Sequence, residues 1–260
     1  MTKDKLQKDR NLALVTGGTS GLGFAISQAL IRNHDLALVY ASNEEKANQA
    51  KEELVNKHPE AKVRLYQTRL SPGDKCAQLV QYVKGDFEKT PEILVNSAGR
   101  LRDELFLKQA QAERDELIFE HLLVPMELSS ILIKEMYRSK FGRIINLSSI
   151  TARRFKMGQV AYTTAKAGIE GFTKSLAREV AHRGVTVNAI APGLFETPMT
   201  AELIEGMKAE RGLLRKKIPA GYPGKPQDVG QLVSFLCSNE AAYITGQVID
   251  ICGGRSLVSD

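Results

Sequence analysis

Apolar residues fall in short runs, and amphipathic stretches separate them. The runs NLALVTGG (11–18), LALVYAS (36–42), KVRLYQT (62–68), EILVNSAG (92–99), GRIINLSS (142–149), VTVNAIAPG (185–193) and GQVIDICGG (246–254) are mostly apolar, and several end in glycine. Such runs suit strands buried on both faces. Between them, helical periodicity predicts helices over 22–33, 43–58, about 74–84, about 112–139, 161–184 and about 226–238. Regular β-α alternation with right-handed crossovers implies a parallel sheet with helices on both faces. The expected fold is therefore a single-domain α/β protein, a Rossmann-type doubly wound sheet of about seven strands. Residues 194–222 break the rhythm with Gly, Pro and several cations, and are expected to form a mobile lid.

Length and composition change this picture little. The 260 residues, 43% of them apolar, suffice for one large core. The opening MTKDKLQKDR is charged throughout, so no secretory signal is expected. No apolar run approaches the roughly 20 residues of a membrane span. Cys76, Cys237 and Cys252 lie far apart and form no metal-like cluster with histidines. They read as reduced thiols of a cytoplasmic protein with no metal site. The net charge of +6 has no basic-aromatic motif beside it, so nucleic-acid binding is not expected. It fits ordinary solubility or an acidic partner.

Two stretches carry chemistry. TGGTSGLG (16–23) follows the first strand and opens the first helix. Glycine at 17 and 21 lets backbone approach a pyrophosphate, and Gly23 allows close helix-strand packing. Thr19, Ser20 and Leu22 complete this cofactor turn, and the helix N-terminus adds N–H donors. At the end of the second strand, Ala41, Ser42 and Asn43 stand where an NAD enzyme would carry a carboxylate. Neutral donors accept a 2′-phosphate, which favours NADP(H), with NAD(H) the alternative. Arg69, after the third strand, is a candidate cation for that phosphate or else a solvated surface charge.

The second stretch is QVAYTTAKAG (159–168), where Tyr162 and Lys166 are four apart and share a helix face. A free phenol has a pKa of about 10. A neighbouring ammonium is expected to lower it and fit the tyrosine for acid–base work. Ser149, thirteen residues before Tyr162, is placed to hold a carbonyl oxygen. Together with NSAG (96–99) and APG (191–193), these residues lie at strand carboxyl ends, where open α/β sheets bind ligands.

With these motifs the chain resembles the short-chain dehydrogenase/reductase family over nearly its whole length, and most closely its bacterial 3-oxoacyl-acyl-carrier-protein reductases. AKAGIEGFTKSLAREVAHRGVTVNAIAPGLFETPMT (165–200) and SNEAAYITG (238–246) are especially similar. The resemblance implies Tyr162 as general acid, Lys166 on the nicotinamide ribose and Ser149 polarising the carbonyl. It places Asn96, Ala98 and Gly99 by the adenosine ribose, Pro192 and Gly193 in the cofactor site, and Ile190 and Thr197 by the nicotinamide amide. His121 stands where the family usually has a catalytic asparagine. Pro125 frees the His121 carbonyl, which is expected to keep the family's proton relay intact.

The resemblance further implies a 3-oxoacyl substrate on an acidic acyl carrier protein, docked by Lys140 and Arg183 beside the active-site entrance, and a homotetramer. Arg153 and Arg154 are candidate additions to that basic rim, or else part of a solvated charge run. Other ketoreductases of polyketide or secondary metabolism, and a catalytically weak NADP-binding regulator, remain alternatives.

Overall fold

The computed structural model describes residues 10–70 and 74–258. Its strands are β1 (Asn11–Thr16), β2 (His34–Tyr40), β3 (Val63–Gln67), β4 (Ile93–Asn96), β5 (Gly142–Leu147), β6 (Val185–Pro192) and β7 (Val248–Ile251). All pair in parallel in one sheet of order β3-β2-β1-β4-β5-β6-β7. The order reverses between β1 and β4, which opens a crevice at their carboxyl ends. The helices are α1 (Gly21–Leu30), α2 (Glu44–Lys57), α3 (Lys75–Phe87), α4 (Gln111–Ile118), α5 (Val124–Ser139), α6 (Thr151–Arg154), α7 (Val160–Val180), α8 (Ala201–Ala209), α9 (Leu213–Lys217) and α10 (Pro226–Cys237).

Side chains alternate across the sheet and build two cores. Ala13 and Val15 of β1 face Ile26 and Leu30 of α1 and Val229, Val233 and Leu236 of α10. Leu12 and Leu14 face the other way, towards Leu128 and Leu132 of α5, Leu79 and Val83 of α3, and Ala177 of α7. Each fully buried leucine contributes about 1.5–3 kcal/mol.

The helix expected over 112–139 is broken. A wide turn, Phe119–Leu123, separates α4 from α5, and the Val124 N–H reaches back five residues to the Phe119 carbonyl. Pro125 explains the break. It has no N–H for the carbonyl four residues earlier, that of His121, and its ring would collide with it. The helix expected over 161–184 ends at Val180, followed by a tight turn at Ala181–Arg183.

Residues 194–222, expected as an irregular lid, contain α8 and α9. Leu194, Ile204, Met207 and Ile218 form a small core of their own, with Leu213 and Leu214 packed against it. The segment is pinned at its base, where the Gly224 N–H donates to the Leu194 carbonyl at 2.9 Å. The periodic Ile204 and Met207, three residues apart, are the sequence signal for α8.

Candidate active site

The turn between β1 and α1 leaves room for a ligand because it lacks side chains. Gly17 sits at φ +67°, a conformation open mainly to glycine. A Cβ on Gly23 would lie 2.1 Å from the Gly17 carbonyl oxygen, so only glycine lets α1 start this close to the turn. Ser20, at the helix N-cap, makes no side-chain capping bond, so α1 keeps donors for an anion.

Two cavities open at the carboxyl edge of the sheet, of about 460 Å³ and about 390 Å³. They share Gly17, Ser20, Ala98 and Gly99 and so form one cleft. The smaller is lined by Thr19, Ser42, Asn43 and Arg69, the larger by Gly21, Leu22 and Gly23 and then by His121, Ser149, Tyr162, Lys166, Pro192, Gly193 and Thr197. A dinucleotide fits this pair, with its adenosine end in the smaller cavity and its reactive end beside Tyr162.

Two of the expected cofactor residues do not line either cavity. Ile190 lines neither cavity: its side chain is fully buried in the core, and its carbonyl accepts the Ser148 N–H at 2.7 Å. A strand residue two before Pro192 points into the sheet packing, whereas Leu194, Phe195 and Thr197 reach the cleft. Asn96 also stays outside the cavity lining. Its amide donates to Asn146 Oδ1 at 2.8 Å and ties β4 to β5.

At the reactive end, β5 delivers Ser149 and the start of α7 delivers Tyr162 and Lys166. Ser149 Oγ accepts from the Thr151 hydroxyl at 2.9 Å and the Thr151 N–H at 3.2 Å. With its lone pairs occupied, the Ser149 hydroxyl proton is directed away from Thr151. Thr151 was not foreseen from the sequence. Ser148, also in the lining, is buried and spends its hydroxyl proton on Glu170 Oε1 at 2.8 Å.

Lys166 is only 5% exposed and donates from Nζ to the Leu147 carbonyl. Nζ lies 5.6 Å from the centre of the Tyr162 ring. The sharing of one face is as expected, but the electrostatics differ. Burial raises the Tyr162 phenol above its ordinary value, opposed by the hydrogen bond from Ser149, and Asp103 adds to the rise. Burial also lowers Lys166 to about 7. In this cleft, desolvation is the largest influence on both groups.

The basic rim is arranged differently from expectation. Arg153 stays exposed but is tied down, donating to Asp250 and pairing with Glu170 at 3.5 Å. Arg154 donates to the Arg255 carbonyl. Both bind the loop after β5 to α7 and to the end of β7. Arg183 and Lys140 lie where β6 and β5 begin, at the amino edge of the sheet. The 21-residue α7 spans ~30 Å and separates them from Tyr162 within one chain. Arg183 stacks on Tyr137 at 4.6 Å and donates from Nε to its carbonyl at 3.1 Å.

Lys46 lines both cavities and was also not foreseen. It follows Asn43 by three residues, and its N–H donates to Asn43 Oδ1 at 2.8 Å. Helical spacing from the cap was the available signal.

A nucleotide-sized cleft at the switch point, with a serine hydroxyl, a phenol and an ammonium at its reactive end, defines a nicotinamide-dependent oxidoreductase acting on alcohol and ketone groups. A family model described as enoyl-(acyl carrier protein) reductase matches residues 17–256. Curated relatives include the 3-oxoacyl-(acyl-carrier-protein) reductase of Aquifex aeolicus, 37% identical over 94% of this chain and 96% of the relative. The enzyme of the same name from Escherichia coli is 35% identical over 95% and 98%. Nodulation protein G of a Rhizobium species is 36% identical over 95% and 97%. Among solved structures, an Agrobacterium tumefaciens protein assigned as a gluconate dehydrogenase superposes with a TM-score of 0.88, at 26% identity over 96% and 97% of the two chains. The chain belongs to the short-chain dehydrogenase/reductase family. No helix among the described residues is long and apolar enough to cross a membrane.

Proposed function

We propose that the protein is a cytoplasmic NADPH-dependent reductase of 3-oxoacyl thioesters presented by an acidic acyl carrier protein. The observation that carries this reading is the Ser149–Tyr162–Lys166 group in a cleft whose nearby relatives include reductases of that name. Leu101, Ile150, Leu194, Met199 and Leu203 also line the larger cavity and suit an acyl chain. NADPH over NADH is supported at the end of β2, where Ser42, Asn43 and Lys46 line the smaller cavity. A carboxylate there would repel a 2′-phosphate, whereas an ammonium attracts it.

When bound, the cofactor supplies the hydride. The remaining work falls to this chain. The Ser149 hydroxyl, aligned by Thr151, donates a hydrogen bond to the substrate's carbonyl oxygen. Tyr162 transfers its proton to that oxygen as negative charge develops there. Its raised pKa keeps the phenol protonated at neutral pH, which is the form that ketone reduction consumes. Lys166, fixed by the Leu147 carbonyl, holds the ribose and faces the Tyr162 ring. Carrier docking through Lys140 and Arg183 requires a second copy to bring them to this entrance, which agrees with a homo-oligomer such as a tetramer.

The test is oxidation of NADPH and of NADH with 3-oxoacyl thioesters of several chain lengths, each free and linked to carrier protein. Turnover with NADPH that improves on carrier linkage supports the reading. Tight NADPH binding without turnover of any 3-oxoacyl thioester contradicts it.

A further inference from the structure

His121 does not simply replace an amide that the family carries. Its side chain is 5% exposed and stands edge-on to the Tyr162 ring, with centroids 4.9 Å apart at 86°. Nε2 lies 2.8 Å from the Arg100 carbonyl oxygen and must carry the proton of that bond. Nδ1 is then a bare acceptor, and it is buried without a partner. The ring fits only because residue 99 is glycine: a Cβ there would lie 2.0 Å from Cε1 and 2.5 Å from Nδ1.

Lys166 has the opposite deficit. Its ammonium offers three protons, and the Leu147 carbonyl takes one. Tyr162, or a ribose hydroxyl beside it, can take a second. A buried acceptor without a partner and a buried ammonium with one proton already bonded thus line one cavity. We infer that His121 is a positioning residue whose Nδ1 accepts a hydrogen bond from Lys166, directly or through one water, and so holds the ammonium against Tyr162. The inference rests on the proposed reductase chemistry only for its kinetic consequence.

The ring must stay neutral to do this. Burial, and then the Lys166 charge, lower His121 to about 3, with Arg100 adding to the fall and its carbonyl opposing it. Lys166, Arg100 and Tyr162 face the ring, and Arg100 in turn pairs with Glu116 and Glu120. His121 therefore does not titrate over the working range.

Two experiments test the inference. In histidine-labelled protein, nitrogen NMR should show His121 as the Nε2–H tautomer from pH 5 to 9. Its Nδ1 signal should move towards an unbonded value in Lys166→Met. An unchanged Nδ1 signal in that variant, or an Nδ1–H tautomer, overturns the inference even if no thioester is ever reduced. Kinetically, His121→Phe keeps the ring but removes both nitrogens. It should lower kcat about 10- to 100-fold, the effect of one hydrogen bond to a buried charge. It should also shift the pH profile, with the NADPH Kd within about twofold of wild type. His121→Asn restores a donor and an acceptor and should recover most of the rate and the original profile. A wild-type pH profile in His121→Phe, or equal damage in His121→Asn, overturns the inference.

Discussion

Replacing Lys166 by methionine removes a buried ammonium and keeps most of its packing volume. Lys166 is displaced from 10.5 to about 7 by burial alone. Burial therefore disfavours its charged form in the fold, and between about pH 7 and 10.5 the unfolded chain binds more protons than the native one. By linkage, the wild-type protein gains stability as pH rises through that window. The full displacement corresponds to roughly 5 kcal/mol that charge burial costs below pH 7. The methionine variant is spared this, but it leaves the Leu147 carbonyl without its donor, at about 1–3 kcal/mol. At pH 6 it should thus be more stable than wild type by about 2–4 kcal/mol. Between pH 6 and 9 that advantage should shrink by about 3 kcal/mol, because only the wild type gains. Urea unfolding of both proteins at the two pH values, at one protein concentration, measures this directly. Other titrating groups largely cancel in the difference. A gap that stays constant within about 0.5 kcal/mol would show that Lys166 is not displaced and would refute the reasoning.

Two further substitutions probe the cofactor cleft. Gly23→Ala forces a methyl against the Gly17 carbonyl, 2.1 Å away; it should cost at least about 2 kcal/mol of stability in thermal melts and abolish NADPH binding by fluorescence titration. Lys46→Ala should raise the NADPH Kd about 10-fold and leave the NADH Kd within about twofold, because only the phosphorylated ribose uses that charge. Equal loss for both cofactors would remove Lys46 from the phosphate site.

The parallel sheet was legible because each strand reads as an apolar run and each crossover as a helix. The glycine turn and the Tyr162–Lys166 spacing were legible because local geometry alone puts those atoms together. What could not be read depends on neighbours distant in sequence. Ile190 and Asn96 sit in motif-like positions, but pleat direction and cross-strand partners turn them away from the cleft. Arg153 is a surface charge whose partner, Asp250, only the packing of β7 brings beside it. Pro125 signalled the freed carbonyl, yet the wide turn that places the His121 ring against Gly99 required the packed structure. Direct pairing rules predicted a phenol made more acidic by the ammonium. Burial, which a sequence does not display, reverses the sign.

The central claim is that the Tyr162 hydroxyl delivers the proton that reduction of the carbonyl requires. Single-turnover oxidation of NADPH by Tyr162→Phe, with cofactor binding measured in parallel, tests it most directly. A loss of at least about 1000-fold in the hydride-transfer rate, with the NADPH Kd within a few-fold of wild type, is the predicted result. Turnover at a rate near wild type in a protein without that hydroxyl would contradict it.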